Sequence, residues 1–380
     1  MRITVLGPTH PFRGGIAHHT TLLVRALRRQ HKVQFLSLSR QYPSWLYPGR
    51  SDQDPSSRHL EEPNQPVLSP FEPWTWINTV RHIRRFRPEI LIIPWWVPLW
   101  APVWSFVSRV SRIARKHKIV FVCHNVLPHE PANTDRFLTR LALGGGDGFV
   151  VHSSHDGRTL QQFIQQAAIS KLPMPLFSVV ESELPDQETA RRELGLDPNQ
   201  PVVLFFGFVR PYKGLNVLLE AMPRIIKDTD AHLLVVGEMW KGKQEYLDRI
   251  HYLGISRHVT LVDQYVPNEE LPKYFVGADL VALPYMTATQ SAVVQLAFSF
   301  GKPVVSTNVG GLAEAVNHGV NGLLVPPNDP SALAAAIISE IKKPHLQVHV
   351  PSNVDGLDSS WIDYANSLVS IIDMQGDDQD

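Results

Sequence analysis

Short apolar runs alternate along this chain with segments in which apolar residues recur at helical spacing. In the first half the runs are residues 3–6, 33–38, 90–93, 119–123 and 149–152. Between them, the apolar residues are spaced by three and four positions, as in Leu22, Leu23, Ala26 and Leu27, or in Ile77, Val80 and Ile83. This alternation predicts a parallel sheet covered by helices.

The second half repeats the pattern with apolar runs at 202–206, 233–236, 259–262, 280–283, 304–306 and 322–325. A chain of 380 residues fits two domains, because single cores rarely grow beyond about 250 residues. Prolines at 171–201 place the linker near 170–200, with a short helix predicted at 187–194. We therefore predict an α/β fold of two doubly wound, Rossmann-like domains, residues 1–180 and 181–360. A helix at 361–372 and an acidic tail complete the chain to 380, and the helix is expected to pack back on the N-terminal domain.

Composition and charge narrow the class of protein. With 43% hydrophobic residues the chain is expected to be globular rather than disordered. The single cysteine, Cys123, excludes an intramolecular disulfide, and the N-terminus lacks a signal-peptide pattern, so we expect a cytoplasmic protein. Residues 1–180 hold 22 Lys/Arg against 10 Asp/Glu, whereas 181–380 hold 14 against 26, so that the halves carry +12 and −12. A basic half indicates an anionic partner: nucleic acid, anionic lipid or a phosphorylated substrate.

Residues 90–107 carry no charge and include Trp95, Trp96, Trp100 and Trp104. Three prolines argue against one continuous helix, and we predict a strand at 90–93, a loop at 94–102 and a helix at 103–116. Two interpretations of the tryptophans stay open. Beside basic residues at 81–87 and 109–116, the rings suit a membrane surface, with the protein peripheral on the inner face of the cell membrane. Alternatively, they pack inside the domain or line an acceptor pocket.

Two loops carry candidate chemistry. After the first strand, residues 7–16 lead through Gly14 and Gly15 directly into a helix, whose N-terminus attracts anions. This loop matches neither the dinucleotide fingerprint nor the Walker motif, which argues against a dehydrogenase or a P-loop NTPase. In the second half, residues 205–214 place Arg210 and Lys213 at the carboxyl end of a first strand, where doubly wound sheets bind ligands. Two cations there suit a diphosphate.

Residues 284–325 add Gly301-Lys-Pro-Val-Val, Gly310-Gly-Leu-Ala-Glu314 and Asn321-Gly-Leu-Leu-Val. Together with the two loops above, these motifs resemble the family-four retaining glycosyltransferases over nearly the whole chain. The resemblance implies a GT-B fold, in which two domains face a cleft, and transfer of a sugar from a nucleotide-diphosphate donor to an acceptor. A lipid-linked acceptor or a cell-surface polysaccharide precursor is expected. It also implies retention by front-face attack, without a metal or cofactor beyond the donor substrate.

The resemblance also assigns roles to residues. It implies that His124, Arg210 and Lys213 are catalytic, and leaves His129 and Glu130 undecided. Acceptor-binding residues are expected at His18, His19, Trp95 and Trp96, with one of the two adjacent histidines facing the cleft and the other solvated. Donor-binding residues are expected at Gly14, Gly15, Gly237, Glu238, Tyr265, Val266, Thr289, Gln290, Ser291, Ala292, Val293 and Gln295.

The sequence departs from the family pattern at the donor site. Two glutamates separated by seven intervening residues are usual, and here Ala288 and Leu296 stand in their places, with Gln290 and Gln295 nearby. The usual arginine after Gly207 is Phe208, for which Arg210 can substitute. These departures put the donor sugar in doubt, and they keep two alternatives open: a catalytically silent scaffold subunit, and a nonhydrolysing sugar-nucleotide epimerase. Nucleic-acid binding is disfavoured because no recognised binding module accompanies the basic residues.

Overall fold

The computed structural model describes residues 1–42, 47, 49–113, 117–128, 132–177, 184–240, 242–344, 346, 348 and 354–373, with side chains in the last segment described for 359–371. The predictions for His129, Glu130, residues 115–116 and the acidic tail fall outside these residues. The chain forms two compact units. The first comprises residues 1–54, 59–175 and the C-terminal segment from Asp358, and the second comprises residues 55–58 and 176–357.

The first unit contains a seven-stranded parallel sheet in the order β3-β2-β1-β4-β5-β6-β7. Its strands are β1 (Arg2–Gly7), β2 (Lys32–Leu38), β3 (Gln65–Leu68), β4 (Ile90–Trp95), β5 (Lys118–Cys123), β6 (Gly148–Val151) and β7 (Ala168–Lys171). Its helices are α1 (Gly15–Arg28), α2 (Pro73–Phe86), α3 (Ala101–Arg112), α4 (Asn133–Leu143), α5 (Ser154–Phe163) and, at the C-terminus, the part of α13 (Val354–Asp373) from Asp358 onward. The central strand β4 is buried throughout and β5 is buried from Ile119 onward, as expected when helices cover both faces of a parallel sheet.

The second unit contains a six-stranded parallel sheet in the order β10-β9-β8-β11-β12-β13. Its strands are β8 (Val202–Phe206), β9 (His232–Val236), β10 (Val259–Val262), β11 (Leu280–Leu283), β12 (Val304–Thr307) and β13 (Gly322–Val325). Its helices are α6 (Gln187–Glu193), α7 (Leu215–Thr229), α8 (Lys243–Tyr252), α9 (Leu271–Gly277), α10 (Ala292–Ser299), α11 (Leu312–Ala315) and α12 (Pro330–Lys342). Strand order reverses between β8 and β11, which defines the switch point where such sheets bind ligands.

All eleven strands predicted from apolar runs are present, within two residues of the predicted ends. The sequence patterns missed β3 and β7, which are four-residue edge strands whose side chains, apart from Leu68, are half-buried or exposed. The C-terminal helix starts earlier than predicted, and residues from Asp358 onward belong to the first unit.

The prediction that Ile77 shares a buried face with Val80 and Ile83 is wrong. Val80 and Ile83 are buried, but Ile77 is 47% exposed. At about 100° per residue, Ile77 lies about 120° around the helix axis from Ile83, outside the stripe that faces the core.

The four clustered tryptophans lie in the core of the first unit. Trp95, Trp100 and Trp104 have no exposed surface, and Trp96 is 7% exposed. The rings of Trp100 and Trp104 stack with centroids 5.0 Å apart. The interpretation that these rings meet lipid is therefore wrong, and the alternative of packing inside the domain is correct. None of the helices in the described part of the chain is long and apolar enough to cross a membrane.

Candidate functional site

The loop between β8 and α7 brings Lys213 to the carboxyl end of the sheet. Residues Pro211–Lys213 form one turn of 3₁₀-helix, and the Lys213 side chain folds back so that its ammonium lies against Gly207. A Cβ atom on Gly207 would come within 2.9 Å of Lys213 Nζ. The ammonium also lies 5.4 Å from the centroid of the Tyr285 ring. The positive charge is therefore held at the switch point of the sheet.

Lys213 is buried, with 8% of its surface exposed. Burial lowers its pKa and Arg210 lowers it further, whereas Tyr212 raises it. Among the described residues no carboxylate pairs with Lys213 and no group accepts a hydrogen bond from its ammonium. Burying a cation without a partner costs free energy. An anion arriving from outside the chain would remove that cost.

Arg210 precedes Lys213 and stays exposed at the same loop. Its guanidinium lies 5.2 Å from the Trp240 ring centroid and 5.7 Å from that of Tyr212, and it has no acidic partner in the part of the chain that the structure describes. A guanidinium that stacks on rings leaves the N–H groups at its edge free to bind an anion, in addition to the one that would bind Lys213. Arg210 and Lys213 thus form a pair of unneutralised cations.

Aromatic rings line the neighbouring strand ends. The Phe208 ring lies 4.8 Å from Trp240 and 6.2 Å from Tyr265, centroid to centroid. These residues follow β8, β9 and β10, three adjacent strands. Val266, next to Tyr265, is buried. Trp240 was not among the predicted site residues, although its place in the loop after β9 could have pointed to it.

The backbone approaches closely at the ends of β8 and β9. Gly237 follows β9 with φ +150°, and a Cβ atom there would lie 2.1 Å from the carbonyl oxygen of Gly207. Glu238 comes next with its side chain buried, and its carbonyl accepts the Val209 N–H at 3.0 Å. Only glycine at 237 allows this approach.

The loop before α10 provides a helix N-terminus near Lys213. The Ser291 hydroxyl accepts the Val293 N–H at 3.3 Å and caps α10. A Cβ atom on Gly207 would lie 3.5 Å from Val293 Cγ2, so the first turn of α10 lies beside the glycine that Lys213 touches. Thr289 is buried, and Gln290, Ala292 and Gln295 are half-buried. The positive end of this helix adds to the two cations.

In the first unit, the predicted histidines form a buried cluster. His124 follows β5, and its ring centroid lies 4.6 Å from that of His19 and 5.5 Å from that of His152. All three are at most 8% exposed. His152 was not among the predicted site residues, although it follows β6 as His124 follows β5. The helix α13 covers the cluster, with the Trp361 and Tyr364 rings 5.1 and 5.4 Å from His19.

Burial keeps these imidazoles neutral. It lowers the pKa of His19 and His124 well below the usual value, and each is lowered further by its histidine neighbours. Burial lowers the pKa of His152 to about 4, against a raising effect of its hydrogen bond to the Leu172 carbonyl. Among the described residues no set of three or more His, Cys, Asp or Glu side chains is arranged to hold a metal ion.

Two further predictions for the first unit concern the glycines before α1 and the pair of histidines within it. Gly14 is the N-cap of α1 and Gly15 is its first residue. The expectation that one of His18 and His19 is solvated is wrong, because His19 is buried and His18 Nε2 lies 3.5 Å from an Asp54 carboxylate oxygen.

Trp95 and Trp96 do not form an acceptor surface, which corrects the prediction for both. The Trp95 indole N–H donates to the Val126 carbonyl at 3.1 Å, and the Trp96 indole N–H donates to the Tyr42 hydroxyl at 3.0 Å. Both rings are buried and both indole N–H groups donate hydrogen bonds within the protein, so the two tryptophans are part of the core.

Comparison with known proteins gives the class. The family model described as "Glycosyl transferases group 1" matches residues 200–343, and that described as "Glycosyltransferase Family 4" matches residues 13–172. The two matches cover the two units in turn. The chain therefore belongs to this family of glycosyltransferases, and its two parallel sheets form the two Rossmann-like domains of the GT-B fold.

Individual relatives agree with this class. An uncharacterised glycosyltransferase of Methanocaldococcus jannaschii is 34% identical over 38% of this chain and 36% of its own length. A D-inositol 3-phosphate glycosyltransferase of Segniliparus rotundus is 37% identical over 42% of this chain and 36% of its own. The matches thus span little more than a third of these curated relatives. The crystal structure of Anabaena Alr3699/HepE with UDP-glucose is similar over 99% of this chain and 98% of its own, at 19% identity and a TM-score of 0.69.

Proposed function

We propose that this glycosyltransferase transfers a hexosyl group from a UDP-sugar to a lipid-linked or polysaccharide-precursor acceptor, with retention at the anomeric carbon. The second unit binds the donor through its diphosphate, and the first unit binds the acceptor. The choice of UDP is supported by the solved structures of similar fold that contain UDP or UDP-glucose.

The observation that carries the proposal is the buried ammonium of Lys213, which has no counterion in the described part of the chain. It lies at the switch point of the second sheet, between Gly207 and the Tyr285 ring. A diphosphate supplies the missing negative charge, with one phosphate on Lys213 and the other on Arg210. Oxygen atoms of the diphosphate can also accept hydrogen bonds from the first N–H groups of α10.

The same two cations also stabilise the leaving group during transfer of the sugar. As the bond between the sugar and the diphosphate breaks, negative charge grows on the leaving phosphate, and fixed cations stabilise it without reorganisation. We propose that this stabilisation replaces a metal ion. The departing phosphate oxygen takes the proton of the acceptor hydroxyl as that hydroxyl attacks from the same face, which gives retention. Positioning of the two substrates supplies much of the rest of the rate.

Donor specificity is proposed to depend on the segment from Thr289 to Gln295. Ala288 and Leu296, in the places of the usual glutamates, are buried and apolar. The side chains of Gln290 and Gln295 are half-buried on either side of the Ser291 cap, and amides there can bind sugar hydroxyls in place of carboxylates.

The test is a panel of nucleotide sugars incubated with the protein, with and without a membrane extract as the source of acceptor. Release of UDP that requires the extract, together with a product whose mass rises by one hexose, supports the proposal. Conversion of the donor without any acceptor indicates an epimerase instead. No release with any donor, despite measurable UDP binding, indicates a scaffold subunit and contradicts the proposed transfer.

A further inference from the structure

The helices α2, α3 and α4 pack side by side and expose one continuous surface of the first unit. The Trp76 and Phe106 rings join α2 to α3 with centroids 5.8 Å apart, and the Arg84 guanidinium donates to the Val110 carbonyl at 2.6 Å. The Arg109 guanidinium joins α3 to α4 by donating to the Leu141 carbonyl at 2.9 Å. The inner sides of all three helices lie in the hydrophobic core.

The outer side of this layer exposes large apolar residues. Five of the six exposed large hydrophobic residues described in the first unit lie here or directly next to these helices. They are Phe71 (46% exposed), Trp74 (66%), Ile77 (47%), Ile113 (78%) and Phe137 (67%). Such clustering on one face of a folded domain marks an interaction site, since scattered exposure is the ordinary case.

The same side is strongly basic. The three helices contain seven arginines and one acidic residue, Asp135, whose carboxylate accepts the Ala132 N–H at the start of α4. Five of the arginines are exposed and have no acidic partner among the described residues: Arg81, Arg85, Arg109, Arg136 and Arg140.

Apolar and basic side chains share the same stripes. On α2, Trp74, Ile77, Arg81 and Arg85 follow one another at spacings of three, four and four, which places them on one side of the helix. On α4, Phe137 lies between Arg136 and Arg140 on the exposed side. Phe137 thus has two arginines within one helical turn, and Trp74 has Arg81 two turns further along the same side of α2.

We propose that this α2–α4 surface docks on an anionic lipid bilayer. The rings and aliphatic side chains enter the boundary between headgroups and acyl chains, while the arginines bind lipid phosphates. Nucleic acid would use the arginines, but Ile77 and Ile113 would gain nothing from a phosphate backbone. The surface deepens the proposed function by bringing a lipid-linked acceptor to the enzyme, and it rests on that function only for the nature of the acceptor.

The test uses the full chain and sedimentation with vesicles, a measurement that needs no donor or turnover. Binding is expected to equimolar phosphatidylcholine and phosphatidylglycerol vesicles, to weaken steeply with salt, and to be lost on phosphatidylcholine alone. Each arginine near the surface contributes roughly fivefold, so Arg81→Gln with Arg85→Gln is expected to lower the partition coefficient by about 25-fold. Trp74→Ser with Phe137→Ser is expected to lower it at least tenfold.

The matched control lies on the second unit, where Tyr252 is 80% exposed and Arg257 is exposed. The variant Tyr252→Ser with Arg257→Gln is expected to sediment like the unchanged protein. Far-UV circular dichroism and urea unfolding, measured for every variant, report that the first unit stays folded. UDP binding, proposed for the second unit, does not depend on lipid, so it separates failure of this surface from failure of the proposed function.

A second readout is quenching of tryptophan fluorescence by brominated lipid. Trp95, Trp100 and Trp104 are buried and Trp76 is half-buried, whereas Trp74 is 66% exposed, so we expect most of the quenching to come from Trp74 and to be lost in Trp74→Phe. The proposal is overturned if both double variants on the α2–α4 surface bind anionic vesicles like the unchanged protein. Self-association through this face, or RNA binding that the variants lose while vesicle binding persists, would overturn it as well.

Discussion

In the first unit the strand ends of β5 and β6 carry His124 and His152, two buried imidazoles kept neutral, and α13 covers them. In the second unit the strand end of β8 carries Arg210 and Lys213, two cations that no described carboxylate neutralises. Both sheets are parallel and doubly wound, so the difference comes from the loops and not from the fold.

The net charges of the two halves would suggest the opposite arrangement, with the cations in the first unit. Residues 1–180 carry +12 and residues 181–380 carry −12, yet the unpaired buried cation lies in the acidic half. Five exposed arginines of the basic half lie on the outer side of α2, α3 and α4. Net charge therefore predicts an anionic partner for the basic half, but it gives no sign of the unpaired buried cation of the acidic half.

The largest effect is expected from Lys213→Met, which removes the charge and keeps most of the apolar stem. Transfer is expected to fall about 1,000-fold, near 4 kcal/mol, because the leaving diphosphate loses a preorganised cation. Stability to urea is expected to rise, since an unpaired buried charge is gone. Arg210→Ala is expected to lose less, because Arg210 is exposed to water.

The control is Lys227→Met, an exposed lysine on α7, which should change neither quantity. A transfer rate unchanged in Lys213→Met, or a loss of stability with unchanged UDP binding, would make Lys213 a structural residue. The contrast between the strand ends of the two sheets would then disappear.

The next largest effect is expected where two backbone segments of the second unit approach each other closely. Gly310 has φ +45°, and a Cβ atom there would lie 1.6 Å from the Ala288 carbonyl oxygen. Gly310→Ala is expected to cost about 3 kcal/mol of unfolding free energy, because the chain must shift around the donor loop. Gly319 has φ +79° with no atom within 4 Å of such a Cβ, so Gly319→Ala isolates the backbone cost of about 1–2 kcal/mol. Equal losses in both variants would contradict the close approach.

The third effect tests the neutral histidines. The imidazoles of the unfolded chain take up protons as the pH falls through about 6.5, whereas burial keeps His19, His124 and His152 neutral in the folded chain. Stability therefore starts to fall as the pH drops below about 8 and continues to fall toward pH 4. Between pH 8 and pH 6 the cluster is expected to lose about 2 kcal/mol of unfolding free energy.

In urea unfolding, the loss of unfolding free energy between pH 8 and pH 6 is expected to be about a third smaller in His152→Phe than in the unchanged protein. The exposed neighbour provides the control, and His155→Gln should behave like the unchanged protein. If His152→Phe keeps the full loss between pH 8 and pH 6, the imidazole of His152 is protonated in the folded state and the cluster is not neutral.

How far the sequence could predict this molecule follows from the same residues. Apolar runs located the central strands because such strands are buried on both faces and leave a continuous signal. The edge strands β3 and β7 gave none. Order along the chain placed Lys213 and Arg210 at a strand end, but it could not show that Lys213 folds back against Gly207 without a carboxylate. Nor could an uncharged run of four tryptophans show whether the rings face lipid or the core, since both environments favour the same side chains.

The smallest effect is expected at Trp240, whose ring lies 5.2 Å from the Arg210 guanidinium carbon. Trp240→Leu removes the stacking partner and lets the guanidinium move, which is expected to weaken UDP binding about fivefold, near 1 kcal/mol. Trp240→Phe keeps a ring and should recover part of that loss. Trp74→Leu, at an exposed tryptophan of the first unit, should leave UDP binding measured by calorimetry unchanged. Equal weakening by Trp240→Leu and Trp74→Leu would mean that the aromatic residues of the second unit do not orient Arg210.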